Sequence, residues 1–121
     1  MSLPKPVAND ADKPIDINFA GQTPHVFAYR MWYRRPGEES WTKFAEGHTE
    51  DDQADHHRTG PHPDGTKIAS MVAVGGKKSS LYRFLLIFSQ DGQVVQGGII
   101  RESGKTSADG GALKSTRVVL V

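Results

Sequence analysis

Alternation decides what this chain can fold into. In "IDINFAG", Asp16 and Asn18 separate Ile15, Ile17 and Phe19. In "HVFAYRMWYRR", Phe27, Tyr29, Met31 and Tyr33 point one way, while Val26, Ala28, Arg30, Trp32 and Arg34 point the other. A period of two marks a half-buried strand, because successive side chains leave a pleated backbone on opposite faces. No long segment carries the helical period, so the chain has strands to build with and almost nothing else.

Turn chemistry punctuates these strands. Pro36-Gly37-Glu38-Glu39-Ser40 suits a reversal, since proline presets φ and glycine tolerates the next corner, and it makes "AYRMWYRRPGEESWTKFAEG" a hairpin. "KIASMVAV" ends at Gly75-Gly76, "LYRFLLIF" leads to an Asp91-Gly92 turn, "QVVQGGIIR" returns from it, and "STRVVLV" follows. Gly97-Gly98 within the return strand marks a bulge or a close backbone approach. "YRMWYRRPGEESWTKF" resembles, in architecture alone, the strand pairs of immunoglobulin-like and fibronectin type III domains. The expected fold is all-β: a single-domain antiparallel β-sandwich of about seven strands, immunoglobulin-like in architecture, with a small barrel as the alternative.

At 121 residues the chain suffices for one domain with a core. Residues 1–14, "MSLPKPVANDADKP", are poor in apolar side chains and read as a flexible N-terminal arm, leaving 15–121 as the sandwich domain. The arm lacks the apolar stretch of a secretory signal, so the default compartment is the cytoplasm. Leu81 to Phe88 is too short to span a bilayer. That run is apolar on both faces except for Arg83, the pattern of a central strand covered on both sides. Arg83 is expected to be exposed or paired with an acid such as Glu102, opposite Ile100 to Glu102.

Composition removes several function classes. There is no cysteine, which excludes disulfides, thiol catalysis and thiolate metal sites. A net charge of +1 gives no whole-molecule field toward nucleic acid or an anionic membrane. Gly104-Lys105-Thr106 resembles the end of a phosphate-binding P-loop, but the spacing from Gly97 or Gly98 is wrong and two glycines follow where a helix should start. It reads as a polar turn, and no cofactor is expected.

The long segment 48–65, "HTEDDQADHHRTGPHPDG", reads as one loop. It holds His48, His56, His57 and His62 with Glu50, Asp51, Asp52 and Asp55, which are ligand types for zinc or iron at no recognised spacing. Ser70, Ser79 and Ser89 lack a nucleophile elbow, and the acid pairs Glu38-Glu39 and Asp51-Asp52 sit in turns. The candidate ligand-binding residues are Trp32, Trp41, Arg30 and Arg34, an aromatic and basic face on the first hairpin. The sequence therefore points to a non-catalytic binding module for a glycan or protein partner. The alternatives are a homo-oligomeric assembly protein, or a metal-binding or hydrolytic domain using loop 48–65.

Overall fold

The structure, a computed structural model, describes residues 3–22, 25–49 and 54–121. The described residues form β1 (Lys5–Val7), β2 (Ile15–Gly21), β3 (Val26–Arg34), β4 (Thr42–Thr49), β5 (Asp55–Thr59), β6 (Lys67–Gly75), β7 (Leu81–Gln90), β8 (Gln93–Lys105) and β9 (Gly111–Leu120). They make two sheets, one of five strands in the order β1-β9-β6-β3-β4 and one of four in the order β5-β2-β7-β8. The protein is thus all-β, with two sheets facing each other across one core, as the alternation requires. The described residues hold nine strands rather than about seven, and no pairing among them closes the sheets into a barrel. β2 lies between β5 and β7, whereas in a constant-type immunoglobulin domain the second strand lies between the first and the fifth.

Each long strand gives one phase to the core. From β2 come Ile15, Ile17 and Phe19, from β3 Phe27, Tyr29 and Met31, from β6 Ile68, Val72 and Val74, and from β7 Tyr82, Phe84, Leu86 and Phe88. This corrects the reading of β7. It has a strand on either side, but its second face, with Leu81 and Arg83, is open to solvent. Arg83 is exposed, as expected, and lies opposite Ser103, one residue beyond the expected range. The slip comes from the bulge: Ser89 pairs with Val94 and Ile87 with Ile99, so Val95 to Gly98 all answer Phe88. Gly97 sits there at φ 75°, and a Cβ on it would stand 2.6 Å from the Pro6 carbonyl oxygen. Both sequence readings of this glycine pair, a bulge and a close approach, therefore hold together.

The approaching backbone belongs to the segment read as a flexible arm. Residues 5–7 are β1, paired in parallel with Val118 to Leu120, so the sheet system is not purely antiparallel. Val7 is 1% exposed within the core, Ala8 N–H donates to the Gln96 carbonyl (2.9 Å), and Lys5 pairs with Glu102 (3.0 Å). β1 thereby ties β9 of one sheet to β8 of the other. The segment 48–65 is likewise not one loop, because His48 ends within β4 and Asp55–Thr59 form β5 along β2. Glu50, Asp51 and Asp52 lie outside the described residues. Thr106, from the P-loop-like triplet, is buried and donates to the Lys77 carbonyl (2.6 Å) while accepting from Ser80 N–H (2.9 Å), which pins a turn.

His62 is 1% exposed and fixes the chain after β5. Arg35 Nε–H donates to its Nδ1 (3.1 Å), so the ring proton resides on Nε2 and is donated to Thr59 Oγ1 (2.8 Å). Burial first, and the Arg35 charge second, hold this imidazole below the usual histidine range. An unfolded histidine titrates near about pH 6.5, so the unfolded chain takes the proton first as pH falls. The stability due to neutral His62 is complete above that pH and is lost as pH drops toward the lower folded value. Thermal melts between about pH 7.5 and 5 are expected to fall more steeply for the wild type than for His62→Gln. Equal slopes would show that His62 is not held neutral. Independently, Val7→Ala is expected to cost on the order of 2 kcal/mol in urea unfolding, and no loss would mean that β1 does not share the core.

Candidate functional site

The outer face of the five-stranded sheet follows from the register. Reading β9, β6 and β3 across, Leu113 stands beside Ala73 and Ala28, Ser115 beside Met71 and Arg30, and Arg117 beside Ala69 and Trp32. β4 adds His48, Glu46 and Lys43 to these rows in turn. Alanine is an unusual choice on a strand face, where β-branched and aromatic side chains pack better. Here Ala28, Ala69 and Ala73 on the two central strands make a low floor, and the larger Trp32, Met71 and Leu113 make its walls. Met71 is 47% exposed and Leu113 73% exposed, although both are large and apolar.

Two depressions result, sharing Trp32 and Met71. One, of about 290 Å³, lies between Trp32 and Trp41 over Ala69, with Ser115 and Arg117 on its far side. The other, of about 470 Å³, lies over Ala28 and Ala73, bounded by Leu113, Arg30, Glu46 and His48. Together they form a trough across the sheet. Trp32 is half-buried because Ala69 cannot cover it, and Trp41, just before β4, is half-buried too.

The four residues singled out from the sequence are brought together on this face, with different freedom. Arg34 lays its guanidinium over the Trp41 ring, 4.9 Å from the centroid, a cation–π contact that holds the indole in place. Arg30 Nε is 3.5 Å from Glu46 Oε2, and Lys43 shares that carboxylate at 3.2 Å. Arg117, which the sequence reading missed, has no ion-pair partner among the described residues. The trough therefore combines an apolar centre with a cationic rim. Sequence reasoning found the residues of β3 through their phase, but Met71, Leu113 and the alanine floor become a surface only once β6 and β9 are placed beside β3. The phase of Met71 between Ala69 and Ala73 was the available signal.

The histidines do not converge. His48 is exposed on β4, His56 Nε2 contacts Asp16 (2.9 Å), His57 reaches Tyr29, and His62 is buried. No group of three or more histidine and acid side chains suited to a metal occurs among the described residues. Ser70 is buried with its hydroxyl unpartnered among the described residues. No hydrogen bond among the described residues joins Ser70, Ser79 or Ser89 to a histidine. No helix among them is long and apolar enough to cross a membrane.

One polar cluster borders the trough. The Tyr29 hydroxyl donates to Asp55 Oδ2 (2.9 Å) and meets His57 Nε2, joining β3 of one sheet to β5 of the other. Burial, then the hydrogen bond and charge of Asp55, push this hydroxyl well above the usual tyrosine range, so it remains a donor. Comparison of the chain with protein-family models, with curated proteins and with solved structures returns no match in any of the three.

Tyr29→Phe removes the cross-sheet bond and leaves Asp55 and His57 without it. The expected loss is about 1–3 kcal/mol in urea unfolding, with the far-ultraviolet circular dichroism unchanged. An unaltered midpoint would show that this bond does not hold the sheets together.

Proposed function

We propose that this protein is a non-catalytic binding module and that the outer face of its five-stranded sheet receives a protein partner. The observation that carries the reading is the alanine-floored trough walled by Trp32, Met71 and Leu113 and continued by Trp41. Contiguous apolar surface of this kind, rimmed by polar groups, marks interaction sites. Tryptophan, methionine and arginine are the residues enriched where proteins bury each other. Among the described residues, Arg30, Arg34, Lys43 and Arg117 outnumber Glu46 on this face, so the matching surface is apolar at its centre and acidic at its rim.

A glycan is the second reading, favoured by the Trp32–Trp41 depression, where an indole can cover the apolar face of a sugar ring. The two readings separate by position. A protein partner needs both depressions, whereas a sugar ring needs only the one between the tryptophans.

Affinity capture from cell extract with immobilised wild type, Trp32→Ala and Leu113→Asp, followed by titration of the recovered partner, tests this. Either substitution is expected to weaken a protein partner by more than about tenfold, as truncating a central anchor does. Binding of oligosaccharides on an array that survives Leu113→Asp but not Trp32→Ala would select the glycan. Loss of concentration-dependent self-association in Leu113→Asp during sedimentation would identify a second copy of the chain as the occupant. A partner that binds all three forms equally would remove this face as the site.

A further inference from the structure

The opposite face of the molecule carries a second arrangement, on the four-stranded sheet. The β7–β8 register places Arg83 opposite Ser103 and Leu85 opposite Arg101, so the two arginines are diagonal neighbours on the same outer face. Both are exposed. Neither has an ion-pair partner among the described residues. Among the described residues, two acids of this sheet are engaged: Glu102, beside Arg101 and Ser103, is turned to Lys5 (3.0 Å) and the Thr116 hydroxyl (3.0 Å), and Asp16, farther along the face, is held by Arg58 Nε (2.7 Å) and His56 (2.9 Å).

Two adjacent guanidinium groups with no ion-pair partner among the described residues repel each other. Between them lies a depression of about 600 Å³ over Ala20 and Leu85, bordered by Gln22, Ser103 and Glu102, whose carboxylate is already held by Lys5 and Thr116. That volume is in the range that takes a small organic ligand. Ile99, 43% exposed, continues the face beyond Arg101 with apolar surface.

We propose that this depression binds a phosphate monoester carried on a small apolar group. A monoester brings close to two negative charges at neutral pH and three acceptor oxygens, which answer two guanidinium forks at once. A carboxylate neutralises only one of them. The apolar carrier rests on Leu85 and Ile99, and the Ser103 hydroxyl supplies a further donor at the rim. This site is independent of the trough on the other sheet, and no residue is shared between them.

Isothermal titration in a buffer free of phosphate and sulfate tests the proposal, with phenyl phosphate, inorganic phosphate and benzoate as probes. Phenyl phosphate is expected to bind the wild type and to bind Arg83→Gln and Arg101→Gln at least about tenfold more weakly. Arg58→Gln, on the same face but outside the depression, is expected to leave the affinity unchanged. Benzoate is expected to bind about tenfold more weakly than phenyl phosphate, since it offers a single charge. All three positions are exposed at the surface, and matching thermal melts establish that each variant is folded. The absence of measurable heat with phenyl phosphate, or equal affinity in Arg101→Gln, would overturn the site. Benzoate binding as tightly as phenyl phosphate would overturn the ligand class, and inorganic phosphate doing so would overturn the apolar carrier.

Discussion

Phe19 is the contact on which the rest of the structure depends. It is wholly inaccessible to solvent, stacks on Tyr29 of the facing sheet at 4.5 Å and on Phe84 of its own sheet at 5.3 Å, and takes the edge of Phe27 at 5.9 Å. Offset and edge-to-face rings add stabilisation beyond the area they bury. The packing is tight enough to dictate its neighbours. A Cβ at Gly21 would stand 2.2 Å from the Phe27 ring, so glycine is required where β2 passes beneath it. Once this aromatic layer fixes one phase of each strand inward, the other phase is free of packing duty. Both candidate surfaces lie on that released phase, one on each sheet.

The same logic explains what could be read from the residues and what could not. β2, β3, β6 and β7 are legible because their inward phases are apolar and their turns are marked. β5 is not legible, because its inward positions are Asp55, His57 and Thr59. These polar side chains meet the polar tips of residues that are otherwise core, Asp55 and His57 the hydroxyl of Tyr29 and Thr59 the ring of His62. A strand whose buried partners are hydroxyl and imidazole groups leaves no hydropathy period. β1 is hidden differently: Pro4 and Pro6 suggest an extended arm, and its pairing partners lie at the far end of the sequence. At the trough, phase revealed Arg30, Trp32 and Arg34, whereas Met71 and Leu113 join them through strand order, which no local pattern encodes. Arg83 was placed within one residue, because the bulge opposite Phe88 adds three residues where the expected range allowed for at most two.

A net charge of +1 conceals a division of charge over the surface. Many of the acids sit at turns and ends: Asp10 and Asp91 beside Lys13, Glu38 bonded to Arg35 N–H, and Asp64 bonded to Asn9. Among the described residues, the two open sheet faces are left with arginines that outnumber their acids. Local fields set by such segregation act over about a Debye length, so each face attracts anionic groups although the molecule as a whole is nearly neutral.

β1 also sets the order in which the molecule can be completed. Lys5 and Glu102, which meet across the joint between the sheets, are 97 residues apart in sequence, and β1 takes its backbone pairing from the last strand. Contacts this remote are reached late, because the entropy of closing the loop is lost before any of them forms. On a ribosome, which releases the chain from its N-terminal end, β1 is made early and waits through the synthesis of every other strand. Its brevity and its proline then serve a purpose, since a three-residue segment lacking one amide donor is a poor template for pairing with another nascent chain during that wait.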